Sequence, residues 1–386
     1  MRIAYLSASY LPSLAANSVH VMKMCSALAR EGHEVTLHAD THWQDRAVGD
    51  AEIFAASGVA PDFKLQRRPM FPVPGTRRIN ALLAARAAVR DADLGIARNL
   101  LSGYLSARWG VPMMVEQHHP LASGSLADRL FRRMLVLPTF RKLIVITEAL
   151  KNEFLRLYPE LEGRILVAAD GADPADRGAL PLPPDVGPFR VGYVGHLYKG
   201  KGMELIAQLV PLCPWAHFTI VGGRPEDIAS WQAALSEFPN IEFLGHQPHS
   251  QAAAHISRSH VVLLPNQEQI WTVSSGQNMF RKVGFDIGSW TSPLKMFEYM
   301  AVGKPIIASD LAVLREVLRD GENAILCPPN DPSAWAAAIK TLCDDSALRT
   351  RLGETAHRDF LVNYTWAERA RRIVAAADIV PAKQVR

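Results

Sequence analysis

The sequence predicts an α/β protein made of two doubly wound parallel-sheet domains, and three observations carry that reading. At 386 residues the chain exceeds what one hydrophobic core usually serves. Short apolar runs recur along it, most of them separated by helical patterns, and such alternation calls for parallel sheets covered on both faces. Between the halves lies Leu180-Pro-Leu-Pro-Pro-Asp-Val-Gly-Pro188, whose prolines are incompatible with a helix interior and mark a linker.

The expected strands of the first half are Arg2–Ser7, Glu34–Ala39, Leu94–Ala97, Pro112–Glu116, Leu143–Thr147 and Ile165–Ala169. Those of the second are Phe189–Val194, Phe218–Val221, Ile241–Leu244, Val261–Leu264, Pro305–Ala308 and Ala324–Cys327. Asn17-Ser18 is expected to cap a helix with Val21, Met24, Cys25 and Leu28 on its apolar face, stopping at Gly32. Asp331-Pro332 marks another start, with proline where no N–H partner is needed. A last helix follows from the apolar periodicity of Trp366–Ile379, which includes Ile373, Ala376 and Ile379.

Hydrophobic residues make up 48% and charged residues 21%, the balance of a globular enzyme. A net charge of +4 is too small to argue for nucleic acid. Cys25, Cys213, Cys327 and Cys343 lack CxxC spacing and sit in apolar contexts, which reads as buried free thiols in a reducing compartment. The first apolar run breaks at Ser7, so it reads as a strand and not a signal peptide, and a cytoplasmic location is expected. Arg67, Arg68, Arg77, Arg78, Arg86 and Arg90 interleave with Met70, Phe71, Leu82 and Leu83. Arg129, Arg132, Arg133, Arg141 and Lys142 interleave with Leu130, Phe131, Met134 and Leu135. Each cluster reads either as a surface for an anionic membrane or as a solvated helix face.

Three segments carry chemistry. In Trp290-Thr-Ser-Pro-Leu-Lys-Met-Phe-Glu-Tyr-Met-Ala-Val-Gly-Lys-Pro305, Ser292 and Pro293 are expected to start a helix running to about Val302 and stopping at Gly303. The unpaired N–H groups at such a start bind phosphate, Thr291 and Ser292 add hydroxyl donors, and Glu298 can accept from a ribose diol. The alternative makes Ser292 a plain cap and Glu298 an ion-pair partner of Lys295 at i,i+3. Gly195-His-Leu-Tyr-Lys-Gly-Lys-Gly202 nearly satisfies a Walker A pattern, but Gly202 stands where a magnesium-binding hydroxyl belongs. It reads better as a turn that lets Lys201 and backbone amides approach a diphosphate, or as simple turn glycines. Glu116-Gln-His118-His119-Pro120 follows a strand, as does Arg98-Asn99. Zinc is not expected, because adjacent histidines rarely ligate one ion and no further ligand cluster is evident. Asp91-Ala-Asp93 precedes its strand, the wrong end for a metal-diphosphate site.

The segment Thr291-Ser-Pro-Leu-Lys-Met-Phe-Glu-Tyr-Met-Ala-Val-Gly-Lys-Pro305 strongly resembles the nucleotide-sugar motif of family 4 retaining glycosyltransferases. Ala16–Cys25 with Gly32–Thr36, Val191–Leu197 through Lys201-Gly202, Ile220–Gly223, Leu264-Pro-Asn266 and Asn363–Trp366 resemble further signatures, in the family's order over nearly the whole chain. The resemblance implies the GT-B fold: two Rossmann-like domains, 1–171 on the acceptor side and 189–364 on the donor side, facing across a cleft. It also implies a linker at 172–188 and a last segment, 365–386, crossing back to the first domain. The implied donor set is Gly195, His196, Lys201, Asn266, Thr291, Ser292, Pro293, Leu294 and Glu298, with Lys201 on the diphosphate and Glu298 on the ribose. Asn17, Ser18, Arg98, Glu116 and His118 fall on the acceptor or sugar side, and Lys201, Glu298 and His118 are the implied catalytic residues. Trp290 replaces the first glutamate of the family's E-x7-E motif, and His196 replaces a common arginine.

The implied activity is transfer of a sugar from a nucleoside-diphosphate sugar to a glycan or lipid-linked acceptor, with retention and without metal or other cofactor. A role in cell-surface polysaccharide or glycolipid synthesis follows, with peripheral contact at the inner face of an anionic membrane and no nucleic-acid partner. Two alternatives stand beside it. One is a GT-B nucleotide-sugar epimerase or hydrolase, and the other a non-catalytic nucleotide-sugar-binding scaffold.

Overall fold

The computed structural model describes residues 1–13, 15–184, 186–273, 284–286 and 288–378. Two compact units emerge, Met1–Asp170 with Trp366–Arg386, and Gly171–Thr365. The segment read as a linker, 172–188, groups with the second unit. Ile379 and the rest of the expected last segment lie outside the described residues.

The first unit holds a seven-stranded parallel sheet in the order β3-β2-β1-β4-β5-β6-β7. Its strands are β1 (Arg2–Tyr10), β2 (Glu34–His42), β3 (Lys64–Met70), β4 (Leu94–Ala97), β5 (Met113–Gln117), β6 (Phe140–Val145) and β7 (Ile165–Val167). Helices α1 (Ala16–Arg30), α2 (Asp50–Ala56), α3 (Thr76–Asp91), α4 (Leu100–Arg108), α5 (Leu126–Leu135) and α6 (Glu148–Leu157) connect them. The order reverses between β1 and β4, so the loops after those strands part at a crevice, where ligands of open parallel sheets bind.

Strand β3 falls in the first basic cluster, where Arg67, Arg68 and Pro69 hide it from a hydrophobicity reading. It is an edge strand, and edges tolerate charge and proline. Its arginines are tied down. Arg67 bonds Asp50 and the Val48 carbonyl, and Arg68 approaches His38 Nδ1 at 3.1 Å. The second cluster is not an apolar-basic surface: Leu130, Phe131, Met134 and Leu135 are buried on α5, and Arg132 pairs with Asp128 and lies over the Tyr158 ring.

The second unit has a six-stranded parallel sheet, β10-β9-β8-β11-β14-β15, and a separate antiparallel pair, β12-β13. The strands are β8 (Phe189–Val194), β9 (Ala216–Val221), β10 (Ile241–Gly245), β11 (Val261–Leu264), β12 (Trp271–Val273), β13 (Gly284–Asp286), β14 (Ile306–Ser309) and β15 (Ile325–Cys327). Its helices are α7 (Met203–Leu212), α8 (Pro225–Ala234), α9 (Ala252–Ser257), α10 (Leu294–Val302), α11 (Ala312–Arg315), α12 (Pro332–Asp344) and α13 (Ser346–Asn363). Trp335 anchors the core with its indole N–H donating to the Pro328 carbonyl at 2.9 Å. Asp331 caps α12 as expected, accepting from Ala334 N–H at 3.1 Å. Helix α14 (Trp366–Ala376) follows and packs on α1 within the first unit.

Two expected caps are corrected. Helix α1 begins at Ala16 behind Ala15, which places Asn17 and Ser18 inside the first turn. Helix α10 begins at Leu294 with Pro293 in the cap position, one residue after Ser292. The first helix starts just before its expected cap and the second just after, each displaced by one or two residues, the scale on which helix ends are ill-defined. The far end of α10 is as expected, closing at Gly303 in the left-handed region (φ 73°). All four cysteines are free: Cys25, Cys213 and Cys327 are buried and Cys343 only half so. No described helix is long and apolar enough to cross a membrane.

Candidate active site

In the second sheet the order reverses between β8 and β11, and the loops leaving those strands are the glycine-rich turn 195–202 and Pro265-Asn266. They interlock. A Cβ on Gly200 would lie 2.3 Å from the Gln269 carbonyl oxygen, and one on Gly202 would lie 2.0 Å from that of Pro265. Both glycines have φ near 90°, so close backbone approach and left-handed conformation each demand them. Gln267 N–H donates to the Gly200 carbonyl at 3.0 Å, closing the contact.

Two buried tyrosines fix the turn. Tyr193 O–H donates to the His196 carbonyl at 2.6 Å. The Tyr299 hydroxyl, on α10, accepts from Val194 N–H at 2.9 Å and so joins the helix to the end of β8. Lys201 lies 5.4 Å from the centre of the Tyr198 ring, and burial lowers its ammonium to about 8. On α10, Lys295 Nζ lies 4.1 Å from the centre of the Tyr193 ring. Burial first, and then the nearby Lys201 charge, hold it well below the usual lysine range, against the pull of Glu298. Burial and the same two lysines lower His196, so its ring is neutral near pH 7.

Asn266 is wholly buried, and neither end of its side-chain amide has a hydrogen-bond partner among the described residues. An unsatisfied buried amide is costly in a folded protein, which marks the place as built for something else. Thr291 and Ser292 are buried just before α10, and Glu298 is half-buried on it. The structure thus brings Gly195, His196, Lys201, Asn266 and the start of α10 to one end of the sheet. Trp290 closes a short 3-10 turn, Gly288–Trp290, ahead of that helix.

A second cluster lies in the first unit, where sequence reasoning found only part of it. Glu116 is 1% exposed on β5. Its Oε2 accepts from Tyr5 O–H at 2.7 Å, and its Oε1 meets His118 Nε2 at 2.8 Å and Arg369 Nη2 at 3.0 Å. The His20 ring lies between Glu116 (2.8 Å) and Asp170 (2.9 Å), at ion-pair distances without linear hydrogen bonds. Burial alone would raise Glu116, but Arg369, His20 and His118 outweigh it and hold the carboxyl well below its usual range. His118 is lowered to about 4 by burial and then by Arg98, whose Nη2 lies 3.4 Å from Nδ1. A neutral His118 donates from Nε2 to Glu116, leaving Nδ1 as an acceptor toward Arg98.

Both Glu116 oxygens are thus engaged by protein groups, His118 among them. His20, Glu116 and His118 present ligand atoms within 4.8 Å of one another, a grouping that spacing alone did not reveal. The Arg369 guanidinium on the same carboxylate oxygen opposes a divalent cation there. Of the remaining first-unit candidates, Arg98 joins the cluster with its Nη1 buried and unbonded among the described residues. Ser18 is buried and donates to the Tyr10 carbonyl at 3.1 Å, whereas Asn17 is exposed. Asp93 is bound to Arg2, both to its backbone N–H and to its side chain at 2.8 Å. Three residues were missed: His20, Asp170 and Arg369. For His20 and Arg369 the available signal was a polar residue inside an expected helix, whereas Asp170 follows β7 and carried none.

Two parallel-sheet α/β units, each with its switch point, define the GT-B class of fold, and comparison with known proteins agrees. Residues 18–176 match the model described as Glycosyltransferase Family 4, and residues 188–345 the model described as Glycosyl transferases group 1. The chain belongs to the family 4 glycosyltransferases, a group 1 sugar-transferring family of GT-B fold. A glycogen synthase of Mycobacterium tuberculosis is 25% identical over 95% of this chain and 92% of its own length. A D-inositol 3-phosphate glycosyltransferase of Kineococcus radiotolerans is 26% identical over 71% of this chain and 68% of its own. Among solved structures, Anabaena Alr3699/HepE in complex with UDP and glucose superposes with a TM-score of 0.70 at 16% identity, covering 98% of this chain and 100% of that one. Sucrose-phosphate synthase from Thermosynechococcus elongatus gives 0.69 at 19% identity, covering 97% of each.

Proposed function

We propose that this glycosyltransferase moves a sugar from a nucleoside-diphosphate sugar to an acceptor hydroxyl with retention of anomeric configuration and without a metal ion. The observation that carries the reading is the arrangement at the β8–β11 switch point. Two lysines, an unsatisfied buried amide and a helix start gather where a glycine turn leaves backbone exposed to a ligand. Positive charge of this kind stabilises a departing diphosphate. Relatives give the same direction, since a UDP complex is known for the similar HepE fold.

In this reaction the bond from the sugar's anomeric carbon to the diphosphate oxygen breaks, and a bond to the acceptor oxygen forms on the same face. The acceptor's proton passes to the departing diphosphate oxygen. Lys201 and the N–H groups at the start of α10 take up the developing negative charge, and Glu298 orients the ribose. Thr291 and Ser292 add hydroxyl donors. His118, held neutral, and Arg98 address the sugar or the acceptor. The protein then acts chiefly by positioning and electrostatics, with no carboxylate nucleophile.

The acceptor reading is a lipid-linked or surface glycan met at an anionic membrane. Phe71, Val73, Ile79 and Leu83 are 46–62% exposed, with Arg77, Arg78, Arg86 and Arg90 exposed among them. Apolar side chains interleaved with arginine suit a headgroup surface. The test is to incubate the chain with nucleotide sugars and lipid-linked acceptors, with and without EDTA, and to read the product's anomeric coupling by NMR. The product keeps the donor configuration and its rate is unchanged by EDTA. An inverted product, abolition by EDTA, or turnover of donor without acceptor overturns the respective part.

A further inference from the structure

We propose that Lys295 is a second cation of the diphosphate site, reaching a phosphate oxygen seated on the Gly195 turn. The inference rests on the donor-site reading above and adds to it a residue that the motif reading treated only as an ion-pair partner of Glu298. Lys295 is half-buried, with its terminal nitrogen turned inward. The Nζ is shut off from solvent and has no hydrogen-bond partner among the described residues, and it lies 4.1 Å from the centre of the Tyr193 ring. A ring face is a weak counterpart for an ammonium removed from water, so in the free protein the charged form is disfavoured until an anion offsets it. Buried, unpaired titratable groups cluster at functional sites, where a ligand completes them.

The direction of the charge is set by Gly195. A Cβ built there would lie 3.4 Å from Lys295 Cδ and 3.6 Å from Nζ, and the backbone φ of 153° favours glycine. An atom in the space that the missing side chain leaves is therefore within ion-pair reach of the ammonium. Tyr299, four residues along the same helix, hydrogen-bonds the backbone of Val194 and so holds α10 in register with that turn. Lys201, at the end of the same glycine turn, is close enough for its charge to act on Lys295. Two like charges with an unsatisfied Asn266 amide nearby want an anion of more than one charge. A nucleoside diphosphate supplies it, and a monophosphate supplies less.

The experiment uses the full chain and calorimetry with matched pairs: UDP and UMP, GDP and GMP, ADP and AMP. Wild type, Lys295→Met and Lys201→Ala are compared at one pH and ionic strength, and thermal unfolding is recorded without nucleotide. Lys295→Met is expected to weaken the diphosphate by about tenfold or more while leaving the monophosphate within about twofold. Its unfolding temperature without nucleotide stays level or rises, because a buried unpaired charge has been removed. Unchanged diphosphate affinity in Lys295→Met, with Lys201→Ala weakened, overturns this inference and leaves the donor site standing. A fall in unfolding temperature with equal loss of both nucleotides makes Lys295 structural and overturns it also. No binding by wild type, or full binding by Lys201→Ala, overturns the donor site itself.

Discussion

Lys201 and His118 are both shifted by burial, toward opposite uses. Lys201 at about 8 is still charged at neutral pH, and a bound diphosphate pulls it further that way. Nucleotide affinity is therefore expected to fall as pH rises through about 8, where the free protein loses this proton. An affinity flat from pH 7 to 10 by calorimetry would remove Lys201 from the site. Lys201→Ala is expected to weaken nucleotide binding by roughly 2 kcal/mol, the scale of a charge-assisted hydrogen bond. His118 follows the acid side. Its folded value of about 4 lies below the unfolded 6.5, so between those values the unfolded chain holds a proton that the folded chain lacks. Stability should fall on acidification through that window, by roughly 3 kcal/mol for this group at its lower end. Urea midpoints of wild type and His118→Gln from pH 7 to 4 check the sign, since the mutant should lose less.

Among the elements, α14 and the turn before α7 carry most of the argument. Arg369 is 2% exposed, donates to Glu116 and to the Ala169 carbonyl at 3.1 Å, and so ties α14 to the strand beneath His118. Arg369→Met leaves a buried carboxylate with one partner fewer, and a loss of about 3 kcal/mol in urea unfolding is expected. Gly202→Ala should fail to fold or unfold at a much lower temperature, because its methyl would meet the Pro265 carbonyl at 2.0 Å. Much of this was readable in advance. Lys201, the glycines around it and the helix from Leu294 to Gly303 follow from local pattern, since turn chemistry and phosphate chemistry both use residues close in sequence. The His20–Glu116–Asp170–Arg369 network was not readable. It joins residues up to 349 positions apart, from His20 to Arg369, through a packing that no local spacing encodes. Strand β3 was lost for a different reason: an edge strand needs no apolar pattern, so its arginines read as surface. Both corrected caps, at Ser18 and Ser292, are places where a polar residue was given the role of its neighbour.

At the scale of the molecule, the chain is a family 4 glycosyltransferase, and the proposal is that its second unit binds the nucleotide through positive charge and backbone, without a metal. The basic, apolar stretch from Phe71 to Arg90 gives a prediction at the same scale. The chain should co-sediment with anionic vesicles at low salt and be released as salt rises, and Phe71→Ser with Leu83→Ser should weaken this without changing nucleotide affinity. Absence of vesicle binding at low salt would leave the acceptor unattached to any membrane. The central claim is tested most directly by calorimetry of UDP, GDP, ADP and CDP against wild type and Lys201→Ala, each with and without EDTA. One nucleotide should bind, at micromolar strength on the order of −8 kcal/mol, unaffected by EDTA and much weaker in the mutant. Binding that needs a divalent ion, or that Lys201→Ala leaves intact, would contradict it.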